Sequence, residues 1–113
     1  MVTPAVGAVV LVPFPFSDLS RAKLRPALVL ADAGRGDWVL CQITSKPYAD
    51  LHAVMLDEMD FETGSLRVKS YARPGKLFTA NESLMSSQAG RLKQDSLTRI
   101  LGAVVALLRP ILP

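Results

Sequence analysis

Cysteine and histidine are almost missing from this sequence of 113 residues, which has one of each, Cys41 and His52. A single cysteine cannot form an internal disulfide, and one cysteine with one histidine cannot assemble a typical Cys/His zinc site. We therefore expect no internal disulfide and no structural zinc.

Long apolar runs are missing as well, because proline, glycine or a charged residue interrupts each of them. A membrane helix needs roughly 20 consecutive apolar residues. The first residues, Met1-Val-Thr-Pro, show no basic segment leading into an apolar core and a cleavage site, so no secretory signal is visible. We expect a cytoplasmic protein that does not span a membrane.

Aliphatic side chains are abundant, and 50% of the residues are hydrophobic. At this length, that content is enough for one compact core but not for two ordinary domains, so we expect a single domain over residues 1–113. The formal net charge of +3 is compatible with an anionic partner. It does not establish one, since many basic proteins bind no polyanion.

The N-terminal and central parts of the chain carry strand patterns. Runs rich in valine and leucine that stop at proline, glycine or hydroxyl residues favour short strands. A bend at Gly34–Asp37 joins two of these runs, and an acidic break covers residues 57–64. The predicted strands are Val6–Val12, Pro26–Leu30, Trp38–Thr44, Leu51–Leu56, Arg67–Ala72 and Lys76–Ala80.

The C-terminal part changes to the i, i+3, i+4 period of one helix face. The apolar stripe consists of Leu97, Ile100, Leu101, Val104, Val105 and Leu108. Asp95 or Ser96 is a suitable N-cap, while Arg109 suits the negative end of the helix dipole. Pro110 then ends the helix. Short strands followed by one amphipathic helix predict a small, strongly bent antiparallel sheet or barrel with the helix packed on it.

A long insert, Phe14 to Leu24, separates the first two predicted strands. Loops of this length are usually functional or disordered. Its aromatic start and basic end suit a cover over an anionic ligand; alternatively, the aromatics hold the loop on the core and the charges are merely solvated. Pro26 keeps the preceding Arg25 extended at the entrance of a strand, where a guanidinium is a good phosphate clamp.

A pair of hydroxyl residues, Thr44 and Ser45, ends the third predicted strand next to Lys46. Such a pair is usually a turn signal, because serine and threonine often hydrogen-bond the backbone at strand ends. Beside Arg25, the hydroxyl pair becomes a candidate for binding the same anion.

Four segments in this order resemble the MazF/PemK toxins: VVLVPFPFSDLSRAKLRPALVL, LCQITSK, SYARPGKLFT and AGRL. The likeness extends over nearly the whole chain. It implies a mainly β fold, a small SH3-like antiparallel β-barrel with a long C-terminal α-helix. It also implies a homodimeric endoribonuclease that needs no metal or other cofactor, cleaves single-stranded RNA and is neutralised by a cognate antitoxin.

Position by position, the resemblance makes Arg25 the catalytic arginine and Thr44 the catalytic threonine. Arg25 would stabilise the charge that develops as a 2′-hydroxyl attacks the adjacent phosphorus, and Thr44 would orient a non-bridging oxygen. A guanidinium is a poor base at neutral pH, so the group that takes the 2′ proton stays unassigned. The predicted RNA-binding residues are Phe16, Ser17, Asp18, Arg21, Lys23, Ser45, Lys46, Tyr71, Arg73 and Lys76.

Unstacked bases of single-stranded RNA can be held on aromatic faces. Candidates for this stacking are Phe16, Trp38 and Tyr71. Two positions depart from the family pattern. Ala8 replaces an aspartate before the first strand, which we expect to affect turn geometry more than chemistry. Ala72 stands where several relatives carry an acidic residue, so either another group such as Asp18 or His52 serves instead, or acid/base assistance is weaker, or the protein is a weak or altered toxin.

Two other functions remain open at this point. The same fold serves toxins that poison DNA gyrase by binding it through the C-terminal helix, and these cut no RNA. A plain SH3-like module could also bind nucleic acid in a basic groove without turnover, in which case RNA binding would depend on salt and yield no product.

Overall fold

The computed structural model describes residues 3–15 and 22–109. Its strands are β1 (Ala8–Pro15), β2 (Ala22–Gly34), β3 (Asp37–Thr44), β4 (Val54–Leu56), β5 (Phe61–Gly64), β6 (Ser70–Asn81) and β7 (Ser87–Leu92). Short 3₁₀ turns cover Glu58–Asp60 and Glu82–Leu84, and the helix α1 spans Gln94–Leu108. Over the described ranges, no helix is long and apolar enough to cross a membrane.

The described strands form one antiparallel sheet of seven strands in the order β4-β6-β3-β2-β1-β7-β5. The sheet is strongly curled, because Leu56 from one edge strand and Phe61 from the other belong to the same apolar core. The predicted fold is confirmed: a mainly β, SH3-like structure in which a curled half-barrel carries a C-terminal helix.

The central strands are buried on both faces, because successive side chains of a strand point to opposite sides of the sheet. In β1, Val9 joins the core under α1, whereas Val10 joins a second core on the other face. Leu28 and Val29 of β2 divide in the same way. This explains why these strands have continuous apolar runs instead of alternating patterns.

The predicted packing of the terminal helix on the sheet is confirmed. Leu97, Ile100 and Val104 are buried in the core that fills the concave side of the sheet. Val105 and Leu108 of the same stripe are 48% and 67% exposed. The sheet therefore covers only part of the predicted apolar face.

The predicted N-caps are wrong. The helix begins at Gln94 and is preceded by Lys93, whose side chain makes no capping hydrogen bond. Ser96 lies inside the helix, where its hydroxyl donates to Asp60 Oδ1 at 2.8 Å. Asp60, which is distant in sequence, thus binds the hydroxyl group that the local pattern predicts to cap the helix.

The first strand is displaced from its predicted bounds. β1 begins at Ala8, after a turn in which Gly7 has φ +96°, and it continues to Pro15 rather than stopping at Val12. Proline is tolerated in β1 because its pairing with β7 ends at Leu11, which leaves β2 as its neighbour beyond that point.

The segment predicted as strand Leu51–Leu56 is a strand only over β4. Asp50 turns the chain first, since its carboxylate accepts the His52 N–H at 2.9 Å and its carbonyl accepts the Ala53 N–H at 3.3 Å. The acidic break contains β5, which was not predicted. Its one buried residue is Phe61, so it has no alternating pattern.

The two short strands predicted at residues 67–72 and 76–80 belong to one strand, β6. Ile43 pairs with Ala72 and Cys41 pairs with Leu77, so residues 73–76 of β6 lie opposite the single residue Gln42 of β3. This bulge bends β6 away from its neighbour. β7 had no predicted strand, because three of its six residues are polar and exposed and it contains no apolar run.

Candidate functional site

A cavity of about 380 Å³ opens at the end of β3, beside the start of β2 and the bulge of β6. A smaller depression of about 210 Å³ adjoins it and shares Arg25, Ile43, Thr44 and Ser45 with it. The residues that line the larger cavity are Arg25, Gln42, Ile43, Thr44, Ser45, Lys46, Tyr48 and Arg73. We refer to this larger space as the Arg25 cavity.

Strand pairing brings Arg25 and Thr44 together. Ala27 of β2 faces Gln42 of β3, and Arg25 and Thr44 each lie two residues further along their antiparallel strands. Residues two apart share a face of the sheet. Two residues that are 19 positions apart in the chain thus become neighbours on one wall of the cavity.

The Thr44 hydroxyl is held by the backbone of Lys46. It accepts the Lys46 N–H at 3.1 Å and donates to the Lys46 carbonyl at 3.2 Å. This is the local turn bonding that a threonine at a strand end favours. The hydroxyl oxygen is thereby fixed at the cavity wall, and its hydrogen can be redirected to a ligand while the bond from Lys46 is kept.

Arg73 enters the cavity from β6 and is fixed by an ion pair. Its Nε donates to Asp50 Oδ2 at 2.8 Å, and the two side chains are 22% and 11% exposed. The hydrogen bond from Arg73, followed by that from the His52 N–H, lowers the pKa of Asp50. The carboxylate therefore stays ionised and orients the guanidinium, whose other N–H groups are available as donors.

Asp50 is a functional candidate that sequence analysis missed. It is 23 residues from Arg73 in the chain, and no local pattern signals the pair. It also ends a tight turn in which its N–H donates to the Pro47 carbonyl at 3.0 Å. Between them, Tyr48 and Ala49 both have positive φ, 50° and 62°.

Left-handed backbone is costly for residues other than glycine, on the order of 1–3 kcal/mol each, and such residues concentrate at functional sites. The turn places Tyr48 at the cavity with 77% of its surface exposed. The sequence gives no warning of this, because Tyr-Ala is not a typical pair for such a turn. The strain and the exposed ring mark Tyr48 as a second missed candidate.

The cavity is rich in positive charge. Arg25, Lys46 and Arg73 line it, and Asp50 neutralises part of this charge through Arg73. An anionic ligand is the electrostatic complement of such a site. The arrangement can bind a phosphate through fixed donors and can stabilise negative charge that develops on it.

The other predicted RNA-binding residues are distributed unevenly. Ser45 and Lys46 line the cavity. Lys76 is exposed on the β6 bulge and Lys23 is exposed on β2, and neither lines the cavity. Tyr71 is half-buried and pairs with Thr44 across β3 and β6, without lining the cavity. Four predicted residues lie outside the described ranges: Phe16, Ser17, Asp18 and Arg21.

Trp38 and His52 were also candidates, and neither lines the Arg25 cavity. Trp38 packs against the second core and donates through Nε1 to Glu82 at 3.1 Å. His52 was placed in an apolar strand, and this is wrong: it is exposed in the turn after Asp50 and borders a different cavity next to α1.

At both positions that depart from the family pattern, the alanine side chain packs among apolar residues. Ala8 and Ala72 are buried, at 1% and 0% exposure. Ala72 faces the core under α1 and so provides no acid or base at the cavity. Within the described part of the chain, no three histidine, cysteine, aspartate or glutamate residues cluster as metal ligands.

Cys41 lies behind the cavity, and its thiol donates to the Arg73 carbonyl at 3.2 Å. Burial raises the pKa of Cys41 to about 12, and the thiolate is the reactive form. We expect the native protein to react negligibly with Ellman's reagent at pH 8, and the guanidinium-unfolded protein to react fully. Labelling of the native protein at the unfolded rate would contradict this burial.

Solved structures of low sequence identity share this fold over most or all of the chain. MazF from Deinococcus radiodurans superposes with a TM-score of 0.72 at 24% identity, covering 96% of this chain and 98% of that one. An endoribonuclease bound to its cognate antitoxin, from a mycobacterial species, has a TM-score of 0.70 at 17% identity with full coverage of both chains. Mycobacterium tuberculosis toxin MazF-mt6 has a TM-score of 0.63 at 14% identity, covering 88% and 95%.

At these identities the structural matches establish the fold alone. Comparison with curated proteins finds no match. The family is shown by a sequence model of the PemK-like, MazF-like toxins, which matches residues 5–108. Since that match spans the three strands that build the Arg25 cavity as well as the terminal helix, the chain belongs to the PemK-like and MazF-like toxins of type II toxin–antitoxin systems.

Proposed function

We propose that this protein is a metal-independent, sequence-selective endoribonuclease toxin that cleaves single-stranded RNA such as mRNA. The observation that carries the proposal is the pairing of Arg25 and Thr44 in one cavity with two further cationic side chains, Lys46 and Arg73. A cavity with fixed donors and excess positive charge suits a phosphodiester whose charge increases in the transition state.

The proposed reaction is an attack of the ribose 2′-oxygen on the adjacent phosphorus. The 2′-oxygen loses its proton and bonds to phosphorus, while the bond from phosphorus to the departing 5′-oxygen breaks. The products are a 2′,3′-cyclic phosphate and a 5′-hydroxyl end, and the 5′-oxygen gains a proton. No metal is required, because arginine donors can supply the stabilisation of charge.

Arg25 and Thr44 take different parts in this step. The Arg25 guanidinium binds the non-bridging oxygens and stabilises their negative charge, and it can donate a proton toward the departing oxygen. Thr44 directs its hydroxyl hydrogen to one non-bridging oxygen, while its own oxygen still accepts the Lys46 N–H at 3.1 Å. Arg73, which Asp50 orients, is a further hydrogen-bond donor to the phosphate. The base that takes the 2′ proton is left unassigned.

The protein is proposed to act in the cytoplasm as a homodimer and to be neutralised by a cognate antitoxin. One structural match is an endoribonuclease bound to its cognate antitoxin, and another is a MazE–MazF complex from Deinococcus radiodurans with a TM-score of 0.72 at 23% identity. The exposed part of the α1 stripe, Val105 and Leu108, provides apolar surface for a partner chain.

The direct test is to incubate the purified protein with a long single-stranded RNA in excess EDTA and to map the new ends by primer extension. We expect discrete cuts at a short recurring sequence, each leaving a 5′-hydroxyl end. Cleavage that appears only after Mg²⁺ is added would contradict the metal-independent mechanism. Intact RNA would refute the nuclease, and salt-dependent binding without product would favour a binding module.

A further inference from the structure

Gln42 has a feature that the proposed chemistry does not use. Its side chain is 8% exposed, and its carbonyl Oε1 is buried with no hydrogen-bond partner among residues 3–15 and 22–109. Leaving a buried polar atom unsatisfied is costly, so the great majority of such atoms in native proteins have a partner. An unpartnered amide carbonyl at a cavity wall indicates that a ligand supplies the missing donor.

The fold holds Gln42 at this position. It lies on the same face of β3 as Thr44, two residues away, and lines the Arg25 cavity. On the β6 side, residues 73–76 bulge away opposite it. No residue of β6 is therefore paired directly with Gln42, and the Arg25 cavity lies beside its side chain.

Phosphate is not a suitable partner for the Gln42 carbonyl, because both groups are hydrogen-bond acceptors. Arg25, Lys46 and Arg73, which line the same cavity, are donors that attract phosphate oxygens. The Gln42 carbonyl is an acceptor and would repel those oxygens. A group that satisfies it must be a hydrogen-bond donor held next to the phosphate, and in RNA the 2′-hydroxyls and the base edges carry such donors. The attacking 2′-hydroxyl gives up its proton in the proposed reaction, which leaves the base edges as lasting donors.

We propose that Gln42 is a specificity-determining residue that accepts a hydrogen bond from the exocyclic amino group of a base beside the bound phosphate. This inference rests on the proposed function in taking RNA as the ligand. Adenine, cytosine and guanine carry such an amino group, whereas uracil and hypoxanthine carry none. The ring N–H donors of uracil (N3–H) and hypoxanthine (N1–H) lie at a different place on the base edge, so a carbonyl positioned for an amino group should disfavour uridine and inosine at one position of the target sequence.

The test measures binding, so that it does not depend on cleavage. A random pool of 2′-O-methyl RNA, in which the attacking hydroxyl is blocked, is bound to the wild-type protein, and the retained molecules are sequenced. We expect uridine to be depleted roughly tenfold at one position, as is typical for the loss of a good base contact. Direct binding of single oligonucleotides should show the same loss when inosine replaces the purine there.

Three variants assign this preference to the Gln42 carbonyl. Gln42→Leu removes the acceptor at similar volume and should abolish discrimination at that position alone. Gln42→Glu keeps an oxygen there and should retain the preference for an amino group. Gln88→Leu makes the same substitution at an exposed site on β7 and should leave the profile unchanged. Circular dichroism melts establish that each variant is folded.

Each possible result either supports or overturns the assignment. A profile unchanged in Gln42→Leu, a preference for uridine or inosine at the position, or wild-type binding without base preference would overturn it. Cleavage of unmodified RNA by the wild type together with an unchanged Gln42→Leu profile would refute this inference alone. Selective binding that is lost in Gln42→Leu, without cleavage of unmodified RNA, would refute the nuclease and leave Gln42 as a base-reading residue, whereas a lack of both binding and cleavage would refute both.

Discussion

Replacing Arg25 with alanine should reduce the rate of RNA cleavage by about 100- to 1000-fold, the range found when one preorganised donor to a developing oxyanion is removed. Arg25 lines both the larger cavity and the adjoining depression, so a phosphate at their boundary lies within its reach. The measurement is the single-turnover rate on a fluorescent oligonucleotide that contains the mapped cleavage sequence. The thermal unfolding transition, followed in parallel, should remain cooperative.

Two further arginine variants make this result specific. Arg25→Lys keeps the charge but loses the planar fork, so its rate should fall between those of the wild type and Arg25→Ala. Arg91→Ala removes an exposed arginine on β7 and should cleave at the wild-type rate. A rate for Arg25→Ala within threefold of the wild type would show that the site assignment is wrong.

Replacing Asp60 with alanine should lower the free energy of unfolding by about 2–3 kcal/mol, because the hydrogen bonds of a charged acceptor are lost and the buried Ser96 hydroxyl is left unpaired. Asp60 Oδ1 accepts from Ser96 at 2.8 Å and from Arg99 at 3.1 Å, and Oδ2 accepts the Asp57 N–H at 2.9 Å. These bonds join α1 to the turn between β4 and β5. Urea denaturation at pH 7 measures the difference.

The effect of Asp60 should depend on pH. Burial alone would raise the pKa of Asp60, but the hydrogen bonds from Asp57, Ser96 and Arg99 outweigh it and lower the pKa. A lowered folded-state pKa stabilises the fold fully above the unfolded value of about 3.9, and this stabilisation is lost as the pH falls through the folded-state pKa. The difference between wild type and Asp60→Ala should therefore shrink below about pH 4.

Asp95→Ala is the matched control, because Asp95 is exposed in the first turn of the same helix. Its loss should cost less than about 1 kcal/mol, the usual contribution of a charge near a helix terminus. Equal destabilisation by the two variants would mean that the Asp60 hydrogen bonds contribute nothing beyond general electrostatics.

The central part of the candidate site was predictable from local sequence. Pro26 restricts Arg25 to extended backbone, and Thr44 ends a strand with a hydroxyl group beside Lys46. Both signals depend on residues adjacent in the chain, so they can be recognised without knowledge of the fold. The structure places all of these residues at one end of paired strands.

Other members of the site had no local signal. Asp50 acquires its role from Arg73, 23 residues away. Gln42 resembles any polar residue in a strand, and only the fold shows that its Oε1 is buried without a hydrogen-bond partner among the described residues. Tyr48 is exposed through a turn whose left-handed backbone its sequence does not favour.

By itself, the sequence determined the strand-rich class, the terminal helix and the extended backbone of Arg25 before Pro26. Strand propensity, hydrophobic period and proline geometry all act between near neighbours in the chain. Tertiary structure alone decided the edge strand β5, the hydrogen bonds that join Asp60 to Ser96 and Arg99, and the surroundings of Gln42. Each of these depends on which distant residues meet across the curled sheet. Whether a buried polar group finds a hydrogen-bond partner depends on these distant contacts, so it cannot be read from a single segment of the chain.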